Sequence, residues 1–173
     1  MQAPTVNTLW IFALKAWSAY SVNTMSTQFP VSDHVKTRGV VYFARMVDKI
    51  RLHAAGQLPA DYAGHLGFAD VTSFDSRFCR FWDVTYDLVK TRTLKGGTAE
   101  EIFDDLFAGR QPLNAEHVFV WNLFLLKRGW RDSGTPGVTA EKAAAGIPDR
   151  ADVQTYVDMH DIDEGREPQP AFL

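Results

Sequence analysis

The sequence predicts an all-α fold, a compact single domain of six to seven helices joined by short loops. Three observations predict it. Apolar residues recur at spacings of three and four through most of the chain. Helix starts such as Thr98, Asn114 and Thr139 and stops such as Gly56, Gly109, Gly129 and Gly146 bracket those runs. No strand-like alternation or internal repeat persists beyond a few residues. A chain of 173 residues, 46% hydrophobic, can bury roughly two-thirds of its unfolded surface, so its core needs neither metal nor disulfide.

The first element is Leu9 to Val22, apolar except for Lys15. It is shorter than the ~20 apolar residues of a membrane span, and no positive charge precedes it as in a secretory signal. It reads either as an amphipathic helix docked on the core or, the favoured reading, as an upstream extension ahead of Met25. The expected organisation is therefore an apolar extension over residues 1–24 and one helical domain over 25–173.

From Thr37 to Ala55, Val40, Phe43, Ala44, Val47, Ile50 and Ala54 mark a helix stopped by Gly56. Pro59, Gly64 and Gly67 make Leu58–Asp70 a structured loop with one helical turn at most. A short helix over Val71–Phe81 would gather Phe74, Phe78 and Phe81, and another over Thr85–Leu94 stops at Gly96-Gly97. Thr98 and Glu101 fit a capping box for a helix reaching Ala108. Asn114 caps a helix ending at Arg128 that is apolar on nearly every side and so should be central. An Ala-rich helix over Thr139–Ala145 and a last one over Asp149–Met159 complete the chain.

Three strings in this series, ARMVDKIRLHAAGQLPADY at 44–62, WNLFLLKRGWRD at 121–132 and MHDIDEGR at 159–166, carry a likeness to a known family. They resemble the bacterial family catalogued as domain of unknown function 5069, over roughly residues 30–168. The resemblance implies a single cytoplasmic domain and leaves residues 1–24 outside it. It transfers no activity, cofactor or catalytic residue.

Composition excludes several function classes. Eighteen basic against 21 acidic side chains give a net charge of −3, no footprint for nucleic acid, and nothing beyond residues 1–24 suggests a membrane partner. A single Cys rules out an internal disulfide, and Walker, dinucleotide, G-x-S-x-G and H-E-x-x-H motifs are missing, so no cofactor is expected.

The remaining signals are local. Segment 36–51 carries +4, from Lys36, Arg38, Arg45, Lys49 and Arg51 against Asp48. It is either a solvated basic face, with Asp48 pairing Arg45 or Arg51, or an anion clamp built on Arg45 and Lys49. Segment 150–167 carries −4 and is expected to pack beside the basic helix and neutralise it. No metal site is expected there, because no second His lies at ligand spacing. Asn122, on the apolar helix, either ties down a loop or orients a ligand, and Trp130 and Arg131 just beyond that helix offer an indole and a cation. His65 with Asp70 could form an oriented base, with Tyr62 a proton donor, while Cys79 suits the core.

Two functions follow as expectations. The first is a cofactor-free enzyme or specific binder of a small anionic molecule, aromatic or not, with His65, Asp70 and Tyr62 catalytic and Arg45, Lys49, Asn122, Trp130 and Arg131 binding. The second is a non-catalytic helical interaction module whose charged strings are structural. Convergence of the three strings on a concave pocket would favour the first; the oligomeric state is left open.

Overall fold

The structure, a computed structural model, describes residues 27–170. The Leu9–Val22 stretch and the expected division at Met25 lie outside the described residues. Those described form seven α-helices, one 3-10 helix and a two-stranded hairpin, so the domain is all-α with a slightly higher helix count than expected. No described helix is long and apolar enough to cross a membrane.

The chain enters through a hairpin rather than a helix. Strands β1 (Lys36–Thr37) and β2 (Val40–Val41) pair antiparallel, and both turn residues, Arg38 and Gly39, adopt positive φ, as a tight hairpin turn demands. The helix expected from Thr37 therefore begins only at Phe43: α1 spans Phe43–Ala54. The helical spacing of Val40 was misleading, because β-branched Val40 and Val41 after a glycine suit the strand better.

A 3-10 helix covers Ala60–His65, within the stretch expected as a structured loop with a helical turn. Helix α2 (Phe74–Phe81) starts behind Ser73, whose side chain accepts the Ser76 amide. Helices α3 (Tyr86–Thr93) and α4 (Ala99–Phe107) follow as anticipated, capped by Thr85 and by the Thr98–Glu101 box. Helix α5 (Ala115–Lys127) is capped by Asn114.

The last two helices are displaced from their expected positions, and in both cases an aspartate explains why. Helix α6 (Thr135–Ala144) begins a turn early because Asp132 accepts the Gly129 and Gly134 amides, and Pro136 suits its first turn. Helix α7 (Tyr156–Asp163) begins late, since Asp158 accepts the Gln154 and Thr155 amides, each at 2.8 Å, and closes a capping box with Thr155.

The core gathers on α1. Phe43 meets Phe103 edge-on at 5.0 Å and Phe78 at 5.4 Å, and Phe78 in turn meets Trp121. The three phenylalanines of α2 do not stay together: Phe78 is buried, Phe81 is 42% exposed, and Phe74 packs on Tyr42, Tyr156 and His160. Cys79 is buried, and that burial pushes its thiol up to about 12, which makes it a core residue. Helix α5 is less central than its composition suggested. Trp121, Asn122, Leu125 and Leu126 face inward, but Phe119, Val120 and Phe124 are exposed.

Asn122 finds backbone partners in the hairpin, as the loop-fastening reading expects. Its side-chain oxygen accepts the Val41 amide at 3.1 Å and its nitrogen donates to the Gly39 carbonyl at 2.8 Å, while the Trp121 indole donates to the Val41 carbonyl. These bonds fasten the hairpin to α5. Asn122→Ala strands both backbone groups and should cost about 1–3 kcal/mol for each that stays buried, read as a lower urea midpoint. A loss below about 0.5 kcal/mol would mean that other contacts hold the hairpin.

Candidate functional site

The three strings meet around one cavity of about 490 Å³. Two long-range connections bring them there. The Tyr156 amide donates to the Arg128 carbonyl at 3.0 Å, joining the start of α7 to the end of α5. At the other end of α7, Glu164 receives the guanidinium fork of Arg45 from the first turn of α1. The 3-10 helix, the start of α2 and one face of α6 close the remaining walls.

Behind the cavity floor lies a lattice of buried charge. Arg45, 2% exposed, donates to Glu164 and to the Val31 carbonyl, and its Nε stands 3.4 Å from Asp33. Glu164 also accepts from Tyr62 and Arg166, and Arg166 donates to Asp161 at 2.8 Å. A second group joins Lys49, Tyr42 and Asp75: Lys49 Nζ donates to the Tyr42 hydroxyl at 2.9 Å and pairs with Asp75 at 2.8 Å. The Tyr42 hydroxyl donates to the same Asp75 oxygen at 2.7 Å.

The solvated basic face is thus not what forms, since Arg45 and Lys49 are buried. Asp48 pairs with neither Arg45 nor Arg51; it accepts the Val31 amide, and Arg51 donates to the Gly97 carbonyl. The acidic segment does neutralise Arg45 through Glu164, but Asp75 from α2 and Asp33 from the segment before the hairpin complete the compensation.

Electrostatics follow from these contacts. Burial alone would raise the Asp33 carboxyl, but Arg45, His160 and Lys49 outweigh it and hold the group at about 2. Burial and then Asp75 push the Tyr42 phenol well up; burial and then Glu164 do the same for Tyr62. At the cavity wall, burial raises Glu141 and Asp163 above the usual carboxylate range, with His160 opposing the rise in both.

His160 is the group best placed for proton transfer. Its Nδ1 lies 3.0 Å from Asp33, which is fully buried and ionised and can therefore only accept. Nδ1 must then carry the hydrogen, which leaves the neutral ring's Nε2 lone pair on the edge away from Asp33. The ring lines the cavity and is 32% exposed, and Nε2 has no partner among the described residues.

Of the residues singled out in the sequence, Arg45, Lys49, Tyr62, His65 and Asp70 line this cavity. His65 is largely exposed and stands 4.0 Å from Asp70, too far for a hydrogen bond, while the Thr72 amide and hydroxyl occupy Asp70 and lower it. Asn122, Trp130 and Arg131 lie outside it. Trp130 is an exposed indole flanked by Lys127 and Arg131. Asp33, Tyr42, Asp75 and Glu141 were not singled out in the sequence, Arg128 appeared only at the end of the apolar helix, and His160 and Asp163 lay in the acidic segment where no metal site was expected. Among the described residues, no three His, Cys, Asp or Glu side chains are grouped to hold a metal ion.

A family model described as Domain of unknown function (DUF5069) matches residues 27–166, most of the chain. The chain belongs to the DUF5069 family. No curated protein matches it. Every cavity-lining residue and every member of the charge lattice in this DUF5069 chain falls inside the matched span.

Asp33 makes a pH-dependent contribution with a definite sign. Its folded carboxyl is depressed, so the stabilisation is present above the unfolded value near 4 and is lost as pH falls toward about 2. Asp33→Asn should cost about 3–5 kcal/mol at pH 7, because Arg45 loses a buried counter-charge. The gap between variant and wild type, measured by urea unfolding, should shrink as pH drops from 5 to 2. A gap independent of pH would show that Asp33 is not ionised in the fold.

Proposed function

We propose that the protein is an acid–base enzyme for a small anionic molecule bound in the cavity, with His160 moving a proton and Arg77 and Arg128 holding the anion. One observation carries the reading: His160 rests on a buried carboxylate through Nδ1 and opens on the cavity. A carboxylate behind an imidazole holds its tautomer and stabilises the imidazolium that proton transfer creates.

The cations support the anionic half of the reading. Arg77 and Arg128 both line the cavity; burial, then Arg128 and Arg80, lower the Arg77 guanidinium, and a bound anion would relieve that crowding. Arg77 donates its Nε to the Thr72 carbonyl, and its two terminal nitrogens have no partner among the described residues. Phe74 and Tyr156 supply aromatic wall, which suits a planar ligand as well as an aliphatic one.

The interaction-module reading keeps one observation in its favour: Arg45, Glu164, Arg166 and Asp161 pair in one continuous chain. That lattice gives Arg45 a positioning role. Arg128 pairs with Asp132 at 2.5 Å and the Arg77 guanidinium lies over the Phe124 ring, but His160 Nε2 and the terminal nitrogens of Arg77 have no hydrogen-bond partner among the described residues. The partner in this proposal is a small molecule rather than nucleic acid or a bilayer, in keeping with the net charge of −3. A bacterial cytoplasm suits the family resemblance and the lone cysteine, a free buried thiol.

A thermal-shift screen with inorganic phosphate, small carboxylates and aromatic acids tests the reading. At least one should raise Tm in wild type, with affinity falling about tenfold or more in Arg77→Ala and Arg128→Ala and unchanged in Arg131→Ala. His160→Gln should still bind it. Absence of any shift, or equal shifts in all variants, sinks the anion site.

A further inference from the structure

Lys49 is 5% exposed yet lines the cavity. An ammonium carries three hydrogens, and the Tyr42 hydroxyl at 2.9 Å and Asp75 at 2.8 Å account for two. The third has no partner among the described residues. Buried polar groups are normally satisfied, so a spare donor on a cavity floor is a place for a ligand oxygen.

The surroundings hold that donor still. Asp75 is held on both oxygens: Oδ1 pairs with Lys49 and accepts the Tyr42 hydroxyl at 2.7 Å, and Oδ2 accepts the Gly67 amide at 2.9 Å. Tyr42 sits at φ 75, a left-handed conformation that a bulky side chain adopts only under constraint. That conformation accompanies the burial of its hydroxyl beneath Lys49. Phe74 meets Tyr42 edge-on at 5.5 Å and His160 at 5.8 Å, so the imidazole and the tyrosine that holds Lys49 flank one aromatic ring, and both Lys49 and His160 line the same cavity.

We infer that Lys49 is a catalytic electrophile working with His160, and that the substrate is a small carboxylated or phosphorylated aldehyde or ketone with a C–H next to its carbonyl. The inference rests on the proton-transfer reading of the cavity. His160 Nε2 takes the proton; the C–H electron pair becomes the C=C bond of an enolate, and the carbonyl pair moves onto oxygen. Lys49 donates its third hydrogen bond to that oxygen, where the negative charge develops. The imidazolium then returns a proton to the same carbon or, where that carbon bears a hydroxyl, to the former carbonyl carbon, while the hydroxyl proton passes to the enolate oxygen and the hydroxyl oxygen becomes the new carbonyl. No oxidant or group donor is needed, because one proton leaves and one comes back.

Hydrogen–deuterium exchange in D2O tests this, followed by proton NMR with pyruvate, 2-oxobutyrate, dihydroxyacetone phosphate and glyceraldehyde 3-phosphate as probes. Wild type should wash out the C–H of at least one probe above the buffer rate. His160→Gln and the double variant Lys49→Met/Asp75→Asn, which removes both charges of the buried pair, should each exchange about 100-fold or more slowly while the probe still raises Tm. Exchange by the double variant within about threefold of wild type would overturn the role of Lys49 and leave proton transfer standing. Probes that bind without exchange would overturn the carbonyl inference and leave the anion site intact. If no probe binds, the reading of the cavity falls and the inference with it. Should the double variant fail to fold, nitrogen NMR on wild type decides: the Lys49 Nζ signal must move when the exchanging probe is added, and an unmoved signal refutes the contact.

Discussion

Arg45 carries a positive charge where water scarcely reaches, at 2% exposure, and such a charge persists only when fixed acceptors meet its donors. Glu164 takes the guanidinium fork, the Val31 carbonyl takes a further N–H, and Asp33 stands beside Nε. Those acceptors come from the segment before the hairpin and from the end of α7, more than a hundred residues apart. Satisfying one cation therefore draws both segments onto the first turn of α1. The same contacts seat His160 against Asp33 and Tyr62 against Glu164, so the cavity floor is a by-product of charge compensation. Buried ion pairs often add little net stability compared with an apolar replacement, but they penalise wrong arrangements heavily. Here their effect is to specify position.

The hairpin is the second constraint, and it bears on the same floor. Asn122 and Trp121 bind the backbone at Gly39 and Val41, which fixes where the chain leaves β2. Tyr42 follows at once in a left-handed conformation, its amide donating to the Asp33 carbonyl at 3.0 Å. The turn into α1 is thus held from two sides. That is how a strained residue can be kept at the entrance of the most buried helix, with its hydroxyl against Asp75.

What could be read in the sequence was whatever is local. Thr98 with Glu101 and Asn114 with the apolar run after it announced α4 and α5, because a cap and a periodic face act within a few residues. The starts of α6 and α7 escaped notice because Asp132 and Asp158 bond to backbone amides in patterns that a count of apolar residues ignores. Helix α5 misled in another way: all-round apolarity suggested a central helix, yet Phe119, Val120 and Phe124 remain exposed. At the site, Arg45, Lys49 and Tyr62 could be identified as chemistry-bearing side chains on one string. Asp33 and Asp75 could not, since their importance lies in partners brought to them only by tertiary folding.

The charged groups around the cavity fall into two kinds, and the distinction bears on function more than their number does. Arg45, Glu164 and Asp75 have their bonding capacity taken up by neighbours, so they can orient but have little left to offer a ligand. His160 Nε2, the third Lys49 hydrogen and the terminal nitrogens of Arg77 have no partner among the described residues, and all three residues face the cavity. Glu141 and Asp163, raised chiefly by burial and drawn back by His160, stand on the wall of the same cavity. A lattice built only to fix the fold would leave such capacity scattered over the surface. Here that capacity gathers around one cavity, which is what the proposed function rests on, and the near-neutral net charge conceals it because both kinds of charge cancel in the sum.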